Sequence, residues 1–529
     1  MGLRAPAVNA VVKDATQSAL FTRLLSHISL GDGPHEKITV RAPFTGETLA
    51  AIPAAQESDV AAAVFRARAA QPAWAARSYA SRGEIFLQFH DLLLERQHQI
   101  LDIVQLETGK ARRHAFEEVL DTAVVCRYYA TRAEKLLRPR RRKGALPGFT
   151  RTWEIRSPFG VAGFVAPWNY PLNLAITDAV PALMAGNTAV LKPDHQTSLT
   201  ALWALDLLRE AGLPGDVFQV VTGDGRQVGP MLGDRVDFLM FTGSTRTGRT
   251  VARQAAERLI GCSLELGGKN AMLVLRDAKL DRAVEGAVRG CFVGAGQVCV
   301  SIERIYVHES LYNEFLSRFV ERTRRLRVGA ALDFSVEMGS LTTEAQLATV
   351  EEHVRDAVSK GANVAAGGRA RPDLGPFFYE PTILTNLPEN ATAYTEETFG
   401  PVVAVYPFAT EAEAIQRANA SRYGFNVSVW THDTARGERI GRQIQAGSVN
   451  VNEAYAATWG SVDSPLGGMK ESGSSARHGA EGILKFTKSQ TMAVQRLLTI
   501  APPPGVNPAT HARWMTRLLK VVRRTRILG

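Results

Sequence analysis

Cysteine is scarce: four residues among 529, at positions 126, 262, 291 and 299, with no C-x-x-C pair. So sparse a set forms no disulfide framework and offers no thiolate zinc site; no metal is expected, and a reducing cytoplasm fits best. Long apolar runs are missing too. No stretch reaches the ~18 residues needed to cross a bilayer. The first 30 residues hold no apolar segment followed by a small-residue cleavage site, so neither membrane spanning nor secretion is expected. Acidic residues are absent from the last 29 positions, which carry Arg513, Arg517, Lys520, Arg523, Arg524 and Arg526. This tail supplies six of the ten net positive charges, so the body is only mildly basic and a nucleic-acid partner is not expected.

What is present describes a large globular protein: 45% apolar, 22% charged, with 45 glycines. At roughly 150 residues per domain the length implies two or three domains. Residues 1–50 read as an irregular arm with short strands, and helical patterns run from Asp59 to about Leu137. The cluster Arg138 to Lys143 reads as a solvated loop ahead of a strand. From Gly160 short β-branched runs alternate with amphipathic helices: VAGFVAP, a helix over Leu172 to Met184, TAVLKP, a helix from Ser198 to Ala211, VFQVV, DFLMF and a helix from Thr245. A second series follows Glu265, with NAMLVL, RIYVHES, PVVAVYPF, NVSVWT and GSVNVN separated by helices over Leu280–Phe292, Leu311–Leu326 and Glu344–Ser359. Two successive βαβ series predict two doubly wound α/β lobes with a cleft between them, ligands lying at the carboxyl ends of parallel strands.

Four segments combine glycine with a reactive residue: PWNYP (Pro167–Pro171), FTGSTRTGR (Phe241–Arg249), LELGGKN (Leu264–Asn270) and GAGQVCVS (Gly294–Ser301). Cys299 follows a Gly-Ala-Gly-Gln turn that leaves its sulfur accessible, whereas Cys291 sits in an apolar helical stretch. Together and in this order the segments resemble the aldehyde dehydrogenase superfamily over roughly residues 40–495. Further matches are LKPD at Lys192, ETFGPV around Glu397 and Phe399, and PLGGMKESG from Pro465 to Gly473.

The resemblance implies roles. Cys299 is the nucleophile, Glu265 the general base 34 residues upstream, and Asn169 with the Cys299 amide holds the oxyanion of a thiohemiacetal. Hydride loss leaves a thioester, and the presence of Glu265 favours its hydrolysis to an acid over acyl transfer to coenzyme A. For the cofactor, Gly243 and Ser244 open a helix suited to a pyrophosphate, Lys192 reaches the adenosine ribose, Glu397 the nicotinamide ribose, and Phe399 and Trp168 wall the nicotinamide. Where NAD-using members carry a glutamate three residues after the lysine, this chain has His195. The missing carboxylate removes repulsion against a 2'-phosphate, so NADP is the expected cofactor, with NAD the alternative.

Within the superfamily the chain looks most like bacterial NADP-preferring succinate-semialdehyde dehydrogenases. Two arginines that typically hold the distal carboxylate are replaced by Thr177 and Val293, and only Ser461 matches. Succinate semialdehyde is therefore one substrate reading. A hydrophobic or membrane-derived aldehyde, received by Tyr170, Thr177, Val293 and Trp459, is the other, and a non-catalytic scaffold is a third.

Expected domains are 1–138 with 157–265 for the dinucleotide, 266–485 for catalysis, and 139–156 with 486–498 as strands pairing subunits into a homodimer or homotetramer. Residues 499–529 are expected to form a Pro-rich linker and a basic tail. Read as a helix from Thr510, the tail puts Trp514, Leu518, Val521, Val522 and Thr525 on one side and Arg513, Arg517, Lys520 and Arg524 on another. It either docks on the body or a partner subunit, or adsorbs to an anionic membrane surface.

Overall fold

The computed structural model of the chain describes residues 15–145, 149–496 and 500–525. Two wound sheets organise it. The first has five parallel strands in the order Phe218–Val220, Thr188–Lys192, Val161–Val165, Phe238–Thr242, Gly261–Glu265. The second has seven, in the order Asn363–Ala366, Thr382–Thr385, Val402–Phe408, Ile302–His308, Asn270–Val274, Asn426–Trp430, Ser448–Val451, parallel except at the first pair. Parallel sheets are covered by helices on both faces, so their strands are apolar on both faces. Every residue of Thr188–Lys192 and of Asn270–Val274 is buried accordingly. Each sheet anchors its own apolar core.

The helical stretch before the first sheet resolves into Glu57–Ala75, Tyr79–Glu95, Gln97–Thr108 and Arg112–Leu137. Three local expectations change. The amino-terminal arm contains a helix, Ala15–Leu25, whose Phe21 and Leu24 are buried in the first core; residues 1–14 lie outside the described residues. The helix expected over Leu172–Met184 is two, Pro171–Ile176 and Ala179–Met184. Pro181 has no N–H to give the preceding turn, and the chain breaks at Thr177–Asp178. The basic cluster is not a loop. Arg140–Arg142 is an exposed edge strand against Thr150–Pro158, tied by Arg142 to Glu154 at 2.5 Å. Charged residues suit an edge, where they deter further pairing.

Thr150–Pro158 pairs on its other side with Thr487–Gln495, nine residues in unbroken antiparallel register, completing a three-stranded sheet. Beyond it the run from Ala501 to Gly505 leads to a helix, Pro508–Thr525. The side chains at 522, 524 and 525, and residues 526–529, lie outside the described residues. Hydrogen bonds of the described side chains in this helix close within it, from Arg513 to Thr510 and from Thr516 to Ala512.

A helix that contributes no residue to either apolar core among the described residues adds little to the stability of the body. Removing residues 507–529 should therefore shift the thermal midpoint by less than about 2 °C, the change expected for roughly 1 kcal/mol in a protein of this size; scanning calorimetry of both chains checks it.

Candidate active site

The first sheet presents the carboxyl ends of its strands to the second lobe. Trp168 and Asn169 follow Val161–Val165, Lys192 and His195 follow Thr188–Lys192, Gly243 and Ser244 follow Phe238–Thr242, and Glu265 ends the edge strand. The second sheet answers with amino ends: Cys299 precedes Ile302–His308, and Glu397 and Phe399 precede Val402–Phe408. Segment Leu266–Lys269 crosses from one sheet to the other. A Cβ on Gly268 would stand 2.8 Å from the Cys299 carbonyl oxygen, and one on Gly267 would collide with the Glu397 carboxylate. Only glycine admits this approach.

The loop carrying Cys299 is over-determined. Gly294, Ala295 and Gly296 all have left-handed φ, 55°, 56° and 75°. For Ala295 that costs on the order of 1 kcal/mol, sustained by the surrounding bonds. Gly294 donates its amide to His114 Nδ1 at 3.1 Å, and the Gln297 side chain donates to the Gly294 carbonyl at 3.0 Å while accepting from Thr342 N at 3.0 Å. Asn270 donates to the carbonyls of both Cys299 and Ser301 at 2.8 Å. Cys299 is partly exposed and unbridged, whereas Cys291 is buried. Burial pushes the Cys299 thiol up to about 12; the Arg477 cation opposes this, while Glu265 and Glu397 reinforce it.

Glu265 is buried, and neither carboxylate oxygen has a hydrogen-bond partner among the described residues. Burial raises its pKa to about 7, against the pull of Arg477 and Lys485. Arg477 pairs with Asp178 at 3.1 Å and donates to Thr242 Oγ1 at 2.7 Å, Thr242 being the residue registered opposite Glu265. Lys485 stands 3.7 Å from the same aspartate. A carboxylate without fixed partners, titrating near neutrality, has the properties of a general base.

Asn169 donates its side-chain amide to the Gln297 carbonyl at 2.9 Å, tying the PWNYP turn to the cysteine loop. It does not cap the helix that follows. That task falls to Glu118, which accepts from the amides of Leu172 and Asn173 at 2.9 and 3.2 Å. Lys110 pairs with Glu118 at 2.6 Å, donates to the Asn169 carbonyl at 2.5 Å and lies 3.8 Å above the Tyr170 ring. Sequence reasoning missed both supports, since they sit on the helical segment with no motif around them.

At the cofactor end, Trp168 and Phe399 meet edge to face at 5.6 Å. Phe399 has φ 52°, held by its amide to Glu303 at 2.9 Å, and Glu303 is itself paired with Lys269 at 2.5 Å. Glu397 accepts from the Gly268 amide at 2.7 Å, and burial raises its pKa to about 8. Ser244 caps helix Thr245–Glu257, accepting from Thr247 N at 3.4 Å, and Gly243 donates to the Glu265 carbonyl at 3.1 Å. Lys192 is buried, with no carboxylate at ion-pair distance among the described residues. A buried ammonium without a counter-ion fits a cofactor phosphate or ribose. Asp194 is turned toward the backbone, accepting from Gln196 N at 3.0 Å and lying 3.9 Å from His195. Asp224 is occupied by Arg226 at 2.8 Å.

A cavity of about 180 Å³ opens beside the cysteine, with Val298 and Val300 on its floor. Its walls are Tyr170, Tyr455, Trp459, Leu120 and Val124, with Glu117, Asp121 and Arg289 as charged members. Of the five residues expected at the substrate, Tyr170 and Trp459 line it, and Thr177, Val293 and Ser461 do not. Thr177 is buried at the break between the two short helices, and Val293 is buried in the second core. The Ser461 hydroxyl donates to the Ala457 carbonyl at 2.6 Å. Arg289 comes one turn earlier on the helix before Val293, too far in sequence for the motif position to reveal it. It stands 3.6 Å from both Glu117 and Glu453 and faces the Tyr455 ring.

A thiol and a carboxylate at one seam between two wound sheets define a two-lobed α/β oxidoreductase. The chain belongs to the aldehyde dehydrogenase family, whose model matches residues 31–492. It is 49% identical over 511 residues, 96% of this chain and 99% of the other, to a protein of Mycolicibacterium smegmatis named as a putative succinate-semialdehyde dehydrogenase [NADP(+)]. It is 36% identical to the Escherichia coli succinate-semialdehyde dehydrogenase [NADP(+)] GabD, covering 87% and 94% of the two chains. Among solved structures, an E. coli NADP-dependent enzyme superposes with TM-score 0.85 at 35% identity, covering 90% and 99%. An NAD+ complex of a Bacillus cereus aldehyde dehydrogenase superposes with TM-score 0.84 at 32%, covering 88% and 96%.

The raised pKa of Glu265 carries a stability consequence. The folded protein holds this proton up to about pH 7, while the unfolded chain releases it near 4.5. The group thus destabilises the fold increasingly as pH rises from 4.5 to 7, and by a constant amount above. Glu265→Gln should be more stable than the parent at pH 8.5, by on the order of a few kcal/mol. Denaturant titrations across this range should show the difference vanishing toward pH 4.5.

Proposed function

We propose that the protein oxidises an aldehyde to its carboxylic acid through a covalent intermediate on Cys299, with NADP as the preferred hydride acceptor. The observation that carries this reading is the buried, unpartnered Glu265 carboxylate, titrating near neutrality and electrostatically coupled to the Cys299 thiol. Glu265 takes the thiol proton and passes it to solvent before deacylation, and the sulfur bonds to the aldehyde carbon. The Asn169 amide and the Cys299 N–H hold the resulting oxyanion. NADP, when bound, supplies the acceptor for the hydride lost from that carbon, leaving a thioester. Glu265 then removes a proton from water, which attacks the thioester; the carbon–sulfur bond breaks, and acid and thiol are released.

Lys192 and His195 would face the adenosine ribose and its 2'-phosphate, since Asp194 is tied to the backbone and Asp224 to Arg226. Gly243 and Ser244 would receive the pyrophosphate, and Glu397, Phe399 and Trp168 the nicotinamide end. Residues 157–265 with the preceding helices would form the cofactor domain and 266–485 the catalytic one. Thr150–Pro158 and Thr487–Gln495 would join subunits of a homodimer or homotetramer.

The relatives' names point to succinate semialdehyde. Arg289 gives that reading the cationic partner absent at Thr177 and Val293, because its two carboxylate neighbours are only at 3.6 Å and a substrate carboxylate can compete with them. A second reading, an uncharged apolar aldehyde, is favoured by the aromatic and aliphatic walls and by Glu117 and Asp121, which repel an anion.

Cys299→Ala should abolish aldehyde-dependent NADPH formation. Glu265→Gln, if it still acylates, should give one burst of NADPH per site with little turnover after it. An unaltered steady state in the glutamine variant would remove Glu265 from deacylation. Specificity constants separate the substrate readings: Arg289→Leu should lower the value for succinate semialdehyde by about tenfold or more while sparing butanal. The reverse pattern, with butanal the better substrate of the parent enzyme, would establish the apolar cavity. NADP should exceed NAD in the same assay, and a tenfold preference for NAD would overturn the cofactor reading.

A further inference from the structure

Helix Pro508–Thr525 is amphipathic, and its described side chains make no hydrogen bond or ion pair with the body among the described residues. Over 18 residues, about 27 Å of helix, the 100° step between residues places Trp514, Met515, Leu518, Leu519 and Val521 on one continuous arc. Arg513, Arg517, Lys520 and Arg523 lie on the opposite one. Trp514 is 59% exposed, Leu518 45%, Leu519 60% and Val521 58%, with Met515 half-buried, so four of the five side chains of the arc face solvent. The stretch from 501 to 529 contains no acid. Pro502, Pro503 and Pro504 lead into a turn before the helix, closed by the Val506 amide donating to the Pro503 carbonyl at 3.1 Å.

We propose that this helix docks the enzyme peripherally on an anionic lipid surface, its apolar arc at the acyl boundary and its cations among the headgroups. A second copy of the helix is a poor occupant. Packing two apolar arcs together would bring cationic flanks alongside each other with no acid on either strand to relieve them. A lipid surface satisfies both faces at once: it takes up Trp514 at the interface, where an indole is favoured, and neutralises four described cations. The helix is too polar to cross the bilayer, and no described helix is long and apolar enough to do so. The active site stays in water, within reach of an aldehyde released at the membrane.

The test uses the full-length enzyme, a chain lacking residues 507–529, and a Trp514→Asp/Leu518→Asp variant. Each is sedimented with vesicles of phosphatidylcholine alone or mixed with phosphatidylglycerol. The full chain should sediment with the anionic vesicles and not the neutral ones, with binding weakened by salt. Both altered chains should remain in the supernatant with turnover in solution unchanged. Replacing Arg517 by Gln should reduce partitioning about fivefold, as expected for one cation at such a surface. Equal sedimentation of full and truncated chains would overturn the proposal. So would loss of oligomer mass on truncation without lipid binding, which would make the helix a subunit contact.

Discussion

The close approach of two sheets across Leu266–Lys269 is the constraint on which the site depends. The edge strand of one sheet leads into an interior strand of the other across four residues, and the two glycines let Glu397 and the Cys299 backbone press against the crossing. Because the carboxyl ends of one sheet face the amino ends of the other here, every chemically active side chain named above converges on one seam. A methyl group at Gly267 would displace the Glu397 carboxylate, and one at Gly268 would press on the Cys299 carbonyl.

Burial then sets the chemistry. Among the described residues Glu265 has no hydrogen-bond donor, and its ionised form is sustained by Arg477 and Lys485, themselves shared with Asp178. The carboxyl is thereby placed near neutrality, where it can both take and release a proton. The thiol is raised in the same environment, so Cys299 becomes nucleophilic only by giving its proton to a neighbour. Lys110 and Glu118 play the complementary part, fixing the Asn169 turn through buried charge whose partners are complete. The same low dielectric that frees one carboxylate immobilises another, and the presence of donors decides which.

The cavity shows how specificity separates from mechanism. Its floor is made by the neighbours of Cys299, but its walls come from four other segments: the helix at residues 117–124, Tyr170 with Asn173, the helix bearing Arg289, and residues 455–460.

The sequence by itself determined the α/β architecture, the family, and the placement of Cys299, Glu265, Asn169, Lys192, Glu397 and Phe399 at strand ends. Each lies in a glycine-rich turn between apolar runs, and such turns are local patterns. Helix Leu280–Phe292 was legible to the residue, because its amphipathic period and the break at Val293 are local too. What only the tertiary structure decided was the set of neighbours: Arg477 beside Glu265, Lys110 and Glu118 beneath Asn169, and Arg289 in the cavity in place of Thr177, Val293 and Ser461. Arg477 and Glu265, for one, are 212 positions apart along the chain. Electrostatic coupling and cavity shape depend on distance in space, which no spacing along the sequence encodes.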